Sequence, residues 1–183
     1  CMLDENRNFK KVVPEHNGAT EQYFYTIQTL AGGVLLKSGS RLYKMKKGTE
    51  SAFEKIEWQE DPVIGHPFTK WSRWDSSHVA FIGANRFVLF DALKLKVETD
   101  LFIQGISGAE SINEEEMLIT VENGGPLYRY SFTQKKIIKE YSGLKDQYGI
   151  AVNSSLRGIG KLHDGRFIIT SGYAGVYIFN PVN

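Results

Sequence analysis

Two short stretches of the 183-residue chain pair a histidine with a carboxylate: His163-Asp164, and His78 three residues after Asp75. An imidazole beside a carboxylate is the beginning of a general-base arrangement, in which the acid orients the ring and the ring accepts a proton. Neither pair has a visible third member, and Asp164-Gly165 is equally the signature of a tight turn. Both therefore read as turn residues with a solvated histidine. Glu114-Glu115-Glu116 has the charge for a calcium ion but not the spacing, since successive residues of a turn or strand point in different directions. The four histidines (His16, His66, His78 and His163) are far apart, and Asp61 and His66 flank Pro62 and Pro67 without metal-ligand spacing. Gly158-Ile159-Gly160 lacks the downstream helix that cradles a phosphate. No catalytic group, no metal site and no cofactor is expected, and the chain reads as a non-enzyme.

The elements that carry these residues follow a repeat. An apolar strand, a turn rich in Gly, Ser or Asn, and a second apolar strand recur four times: Val34–Leu36 with Leu42–Met45, Val79–Ile82 with Phe87–Phe90, Met117–Val121 with Leu127–Tyr130, and Phe167–Thr170 with Val176–Phe179. β-branched and aromatic residues around such turns predict β-hairpins. The second strands begin at Leu42, Phe87, Leu127 and Val176, a longer step than a hairpin alone needs. The remainder predicts an inner strand before each hairpin (Tyr25–Leu30, Thr69–Trp74, Ala109–Ile112 and Arg157–Leu162). It also predicts a polar outer strand after three of them: Phe53–Trp58, Lys96–Thr99 and Lys136–Tyr141. Lys and Glu on an outer strand resist pairing with other molecules. No outer strand follows the fourth hairpin, and Phe9-Lys10-Lys11-Val12-Val13 is expected to supply it. The expectation is one all-β domain, a small β-propeller of about four four-stranded blades over 22–58, 69–100, 108–141 and 156–180, the last completed by 9–13. Pairing the chain's two ends in one sheet hides two edges at once.

The stretch from Arg157 to Pro181 resembles the blades of bacterial two-component-regulator sensor propellers. The residues that carry the likeness are Leu162-His163-Asp164-Gly165-Arg166-Phe167-Ile168-Ile169-Thr170 and Gly175-Val176-Tyr177-Ile178-Phe179-Asn180-Pro181. Those blades run from a D-G turn through an apolar strand ending in Thr to G-[LV]-Y-x-[FY]. Leu118 to Tyr130 is a looser match, and the first two repeats share only the strand-turn-strand frame. The resemblance implies a propeller whose loops bind a partner at one face, and such sensors carry more than four blades.

On that frame the residues best suited to recognition lie in or beside the loops that enter the inner strands, over 15–21, 59–69, 103–108 and 145–155. They are His66, Trp71, Arg73, Glu110, Tyr148 and Arg157. Trp, Tyr and Arg concentrate binding energy through buried area and fork-like hydrogen bonding. For Trp71 and Arg73, placed on one face by strand alternation, packing between blades is an equal reading. Trp74, aligned with Leu30, Ile112 and Leu162, reads as packing.

Lys and Arg number 22 against 21 Asp and Glu, a net charge of +1 with no basic block, which argues against nucleic acid or an anionic membrane as partner. No apolar run approaches the roughly 20 residues of a membrane helix. The lone Cys1, ahead of the polar run Asp4 to Asn8, fits the mature end of a lipoprotein, a scar before Met2, or a cut from a longer chain. The function expected is binding by a rigid face to another protein, as an envelope scaffold or as an inhibitor of the immunity type. The alternative is a ligand-sensing propeller in which Trp71 and Tyr148 stack on a sugar or another small molecule. The cell envelope is favoured over the cytoplasm.

Overall fold

Strands form wherever Val, Ile, Leu, Phe and Tyr cluster between turn residues, because branched and aromatic side chains suit a pleated surface. The computed structural model describes residues 2–3, 9–10, 15–16, 19–20, 26–30, 33–38, 41–45, 53–56, 69–122, 124–152 and 154–181. Among them there is no helix. Two short pairings come first: β1 (Met2–Leu3) with β2 (Phe9–Lys10), and β3 (Glu15–His16) with β4 (Ala19–Thr20). Four antiparallel sheets follow. The first is β5 (Thr26–Leu30), β6 (Gly33–Ser38), β7 (Arg41–Met45) and β8 (Phe53–Lys55). The second is β9 (Lys70–Arg73), β10 (His78–Gly83), β11 (Arg86–Asp91) and β12 (Lys96–Phe102). The third is β13 (Ile106–Ser111), β14 (Glu116–Val121), β15 (Leu127–Ser131) and β16 (Lys136–Tyr141). The fourth has three strands: β17 (Leu156–Lys161), β18 (Phe167–Ser171) and β19 (Val176–Phe179). In each sheet neighbours in sequence are neighbours in space, as the hairpin repeat predicts.

Phe9 and Lys10 pair with Leu3 and Met2, a partner a few residues up the chain that closes a short loop at small entropic cost; residues 11–13, the rest of the segment expected to complete the fourth sheet, lie outside the described residues. Two corrections concern loops. Ile106 to Gly108, expected in a loop, opens β13, and 15–21 contains the β3–β4 pairing.

Contacts divide the chain into two units, Cys1–Phe81 with Val88–Thr99, and Ile82–Phe87 with Asp100–Asn183. The first has a core of Leu35, Leu42, Ile56, Val79, Phe81, Val88, Phe90 and Ala92, with Trp71 packed against it. The second is built on Leu118, Leu127, Tyr141, Leu156, Phe167 and Ile169. Burial falls from the middle of a sheet outwards. Four successive residues of β10 and five of β14 are buried, so both faces of these strands are covered. The outer strands β12 and β16 are mostly exposed, which is the environment their Lys and Glu require.

Turn chemistry repeats with the strands. Asp75, Asn113 and Asp164 each turn a side-chain oxygen onto a backbone N–H two residues on, at 2.7, 2.8 and 3.0 Å. Asp91 and Ser131 close the outer turns in the same way, Asp91 accepting from Leu93 and Lys94 and Ser131 from Gln134. Each of those turns then passes through a left-handed residue, Leu95 (φ 54°) or Lys135 (φ 53°).

The inner strands β13 and β17 lie side by side, and both bulge at the same point, between Ile106 and Gly108 and between Leu156 and Gly158. The Ser107 hydroxyl reaches the Leu156 carbonyl oxygen at 2.5 Å and the Thr120 hydroxyl at 3.0 Å. A Cβ on Gly108 would meet Thr120 Oγ1 at 2.8 Å and Ile159 Cγ2 at 3.2 Å. Gly108→Ala is expected to destabilise the protein by about 1–2 kcal/mol, as overpacking does, and urea unfolding measures it. An unchanged midpoint would mean that the two strands have room to part.

Candidate functional site

Among the described residues, a concentrated group of ionisable side chains sits at one end of the second sheet, within the first unit. Asp75, in the β9–β10 turn, accepts the backbone N–H of His78 at 2.8 Å and faces its ring, with Nδ1 to Oδ2 at 2.7 Å. The other ring nitrogen, Nε2, lies 3.0 Å from Glu98 Oε2 on β12 and 4.0 Å from Asp91 Oδ2 at the end of β11. Lys94, in the turn between β11 and β12, donates to Asp91 at 2.8 Å and to Glu98 at 3.3 Å. Lys96 Nζ is 3.8 Å from Glu98. The Asp91 side chain is 3 % exposed, and burial on its own would raise its carboxyl. The Lys94 ammonium and the amides of Lys94 and Leu93 outweigh burial and hold it down at about 2. Glu98 is also held below the usual range, against burial, by Lys94 and His78, and Asp75 by the Ser77 and His78 amides and the His78 ring.

His78 is therefore not the solvated turn histidine that its sequence neighbourhood suggests. Its ring is half-buried and bracketed by two carboxylates. Nothing local announces Glu98, which is 20 residues away. The other pair behaves as expected: Asp164 caps its turn and pairs with Arg166 at 2.6 Å, and His163 is exposed. Of the three successive glutamates, Glu114 and Glu115 are exposed, while Glu116 reaches across to Arg129 on β15.

A cavity of about 450 Å³ lies in the second unit, between residues 144–152 and β19. The segment that walls it is tightly tied. Asp146 Oδ1 accepts the N–H of Tyr148 and Ile150 (both 2.9 Å), Lys145 bridges to Ala151, Val152 N–H donates to Leu144 O, and Gly149 turns the chain at φ 80°. Leu144, Tyr148, Val152 and Ile169 line the space, facing Val176 to Phe179. Three of its lining side chains are apolar and exposed, Tyr148 (77 %), Val176 (59 %) and Ile178 (52 %), and Ile150 and Tyr173, next in sequence to the lining segments, are exposed too. Tyr141 holds the far end of β19, edge-on to Phe179 at 4.9 Å, with its hydroxyl donating to the Pro181 carbonyl.

The six residues singled out for recognition divide as follows. His66 lies outside the described residues. Trp71 and Arg73 share β9; Trp71 is half-buried and stacks on Phe81 at 5.6 Å, and its indole N–H finds no partner among the described residues. Arg73 is exposed and donates to the Asp75 carbonyl. Glu110 is half-buried on β13. Burial pushes its carboxyl up, against the Ser111 amide and Lys161. Arg157 is exposed on β17 and lies over Gly172, where its Nε would be 3.1 Å from an added Cβ. Of the five that are described, Tyr148 lines the cavity.

No protein-family model and no curated protein matches the chain. Solved structures do. The extracellular domain of a hybrid two-component system from B. thetaiotaomicron matches 94 % of this chain at TM-score 0.63 and 12 % identity, over 22 % of its own length. A streptogramin B lyase matches 97 % of this chain at TM-score 0.64 and 11 % identity, over 56 % of its own. BamB from Moraxella catarrhalis matches 85 % at TM-score 0.58 and 12 % identity, over 43 % of its own. The chain thus spans from about a fifth to little more than half of these proteins. All are β-propeller proteins, and the likeness, together with the recurring antiparallel sheets, gives this chain the β-propeller fold.

Proposed function

We propose that this chain is a non-enzymatic binding module that engages another protein through the surface around the β19 cavity. The observation that supports this reading is the set of exposed apolar side chains that line the cavity, Tyr148, Val176 and Ile178, beside a loop already tied by its own hydrogen bonds. Exposed apolar patches of this kind mark interaction sites, and a loop ordered before binding loses little entropy when it binds. The propeller fold supports a binding or sensing role in general. The reading includes a place in the cell envelope, which the extracellular sensor domain among the similar structures supports. Among the described residues no helix is long and apolar enough to cross a membrane.

The test is capture from a native lysate by the immobilised chain. Wild type retains one protein at equal stoichiometry, and Tyr148→Ala with Val176→Asp loses it by at least tenfold while keeping the wild-type melting temperature. Retention that survives the double variant but falls with Arg73→Ala would move the surface to β9. A second reading, a sugar or another small ligand held in the cavity, draws on its volume, which is within the range of small-molecule sites. It predicts a rise in melting temperature with members of a glycan panel and no captured protein.

A further inference from the structure

We propose that His78 Nε2, Asp91 Oδ2 and Glu98 Oε2 form a binding site for a divalent transition-metal ion, zinc by the donor set, and that the ion displaces Lys94. The three donors come from three adjacent strands, β10, β11 and β12, and their ligand atoms all lie within 4.8 Å of one another. Zinc takes nitrogen and oxygen donors at about 2.0–2.2 Å, so its ligands stand roughly 3.3 Å apart. The Nε2–Glu98 and Nε2–Asp91 distances of 3.0 and 4.0 Å straddle that spacing. A mixed imidazole and carboxylate set selects zinc over magnesium or calcium, which prefer oxygen alone.

The orientation of His78 carries the argument furthest. Its Nδ1 is held by Asp75, the carboxylate–histidine pairing that in metal sites fixes the ring and presents the other nitrogen to the ion. With the proton on Nδ1, Nε2 is a lone pair, and it faces a carboxylate oxygen 3.0 Å away with a second at 4.0 Å. A nitrogen lone pair and a carboxylate oxygen at that distance need a proton or a metal ion between them. An Nε2–H proton meets the need in one way and a metal ion in another, and the experiment separates the two. Asp91 is suited to the role because the Leu93 and Lys94 amides occupy its Oδ1, which leaves Oδ2 directed at the cluster from a buried position.

Three carboxylates (Asp75, Asp91 and Glu98) face this imidazole, and the cations beside them are Lys94 and Lys96. Lys94 already shares its ammonium between Asp91 and Glu98 from a side chain that is 63 % exposed. It does so as a competitor for Asp91 Oδ2, one proposed ligand oxygen, and through Oε1 of the Glu98 carboxylate, whose Oε2 is the other. The proposal therefore predicts that removing this positive side chain tightens metal binding, the reverse of what a structural ion pair alone implies.

The full chain is stripped with a chelator and titrated with zinc chloride by calorimetry, with magnesium chloride as contrast, and melted with and without each ion. The expected result is one zinc per chain, a higher melting temperature with zinc and none with magnesium. His78→Ala and Glu98→Gln each weaken zinc binding by tenfold or more, and Lys94→Met strengthens it several-fold. If His78→Ala fails to fold, Glu98→Gln and Lys94→Met still decide. No zinc binding by the stripped wild type overturns the proposal in favour of an N–H hydrogen bond to Glu98. Undiminished binding in both His78→Ala and Glu98→Gln also overturns it, assigning the ion to another of the four histidines.

Discussion

Replacing Phe81 by alanine is expected to destabilise the protein by about 3–5 kcal/mol, the range for removing a fully buried aromatic ring. Phe81 has no exposed surface and stands at the centre of the first unit's core, stacked on Trp71 at 5.6 Å and edge-on to Phe90 at 6.3 Å. Alanine leaves a void bordered by Trp71 and Phe90, and neither ring can fill it without losing its own contacts. Phe81→Leu keeps most of the volume and should cost roughly half as much. Urea unfolding gives both numbers, and an unchanged slope with a lower midpoint identifies a stability effect rather than a change in the unfolded chain. The consequence reaches the surface. The Trp71 indole N–H has no partner among the described residues, so the stack on Phe81 is the contact that sets its ring. In Phe81→Leu, Trp71 should show greater access to a collisional quencher. A midpoint within about 1 kcal/mol of wild type for Phe81→Ala would show that this core is not packed as described.

Asp91 gives the second large effect, and it depends on pH. Asp91→Ala removes the cap on two amides and leaves Lys94 with Glu98 as its carboxylate partner. The expected loss at neutral pH is about 2–3 kcal/mol, combining a lost cap with a lost charge-assisted hydrogen bond. The folded carboxyl titrates at about 2, below its ordinary 3.8. A depressed carboxyl contributes stability that is fully present above the unfolded value and disappears as pH falls through the folded one. Wild type should therefore lose this contribution between about pH 4 and pH 2, and Asp75 and Glu98, also depressed, add to the loss in the same direction. Asp91→Asn keeps an oxygen for the two amides but not the charge, so it should start lower at neutral pH and fall less steeply in acid. Thermal melts from pH 7 down to pH 2 compare the two profiles, and parallel profiles would refute the assignment.

The strands were legible in the amino-acid order because their signals are local. Lys136–Tyr141 forms a strand with the expected bounds, and the inner strands begin within about three residues of the expected positions. The Asp, Asn and Ser residues of the turns act on amides two or three positions away, so sequence proximity is the whole of their geometry. Tyr148 was legible as an exposed aromatic in a loop, which composition alone suggests. The partner of Phe9 was not, because several segments share an alternating apolar and charged pattern and backbone pairing has little preference among them.

The amino-acid order by itself determined the all-β class, the four-fold hairpin repeat, the polar outer strands and the turn caps, since each depends on neighbours within one hairpin. Only the tertiary structure decided that His78, Asp91 and Glu98 converge, that Ile159 leaves no room for a Cβ on Gly108, and that Tyr148 meets Val176 and Ile178 around one cavity. Those meetings depend on cross-strand register and on which faces are covered. Residues far apart in sequence then become neighbours, and burial changes the chemistry of a carboxylate that its own sequence context leaves ordinary.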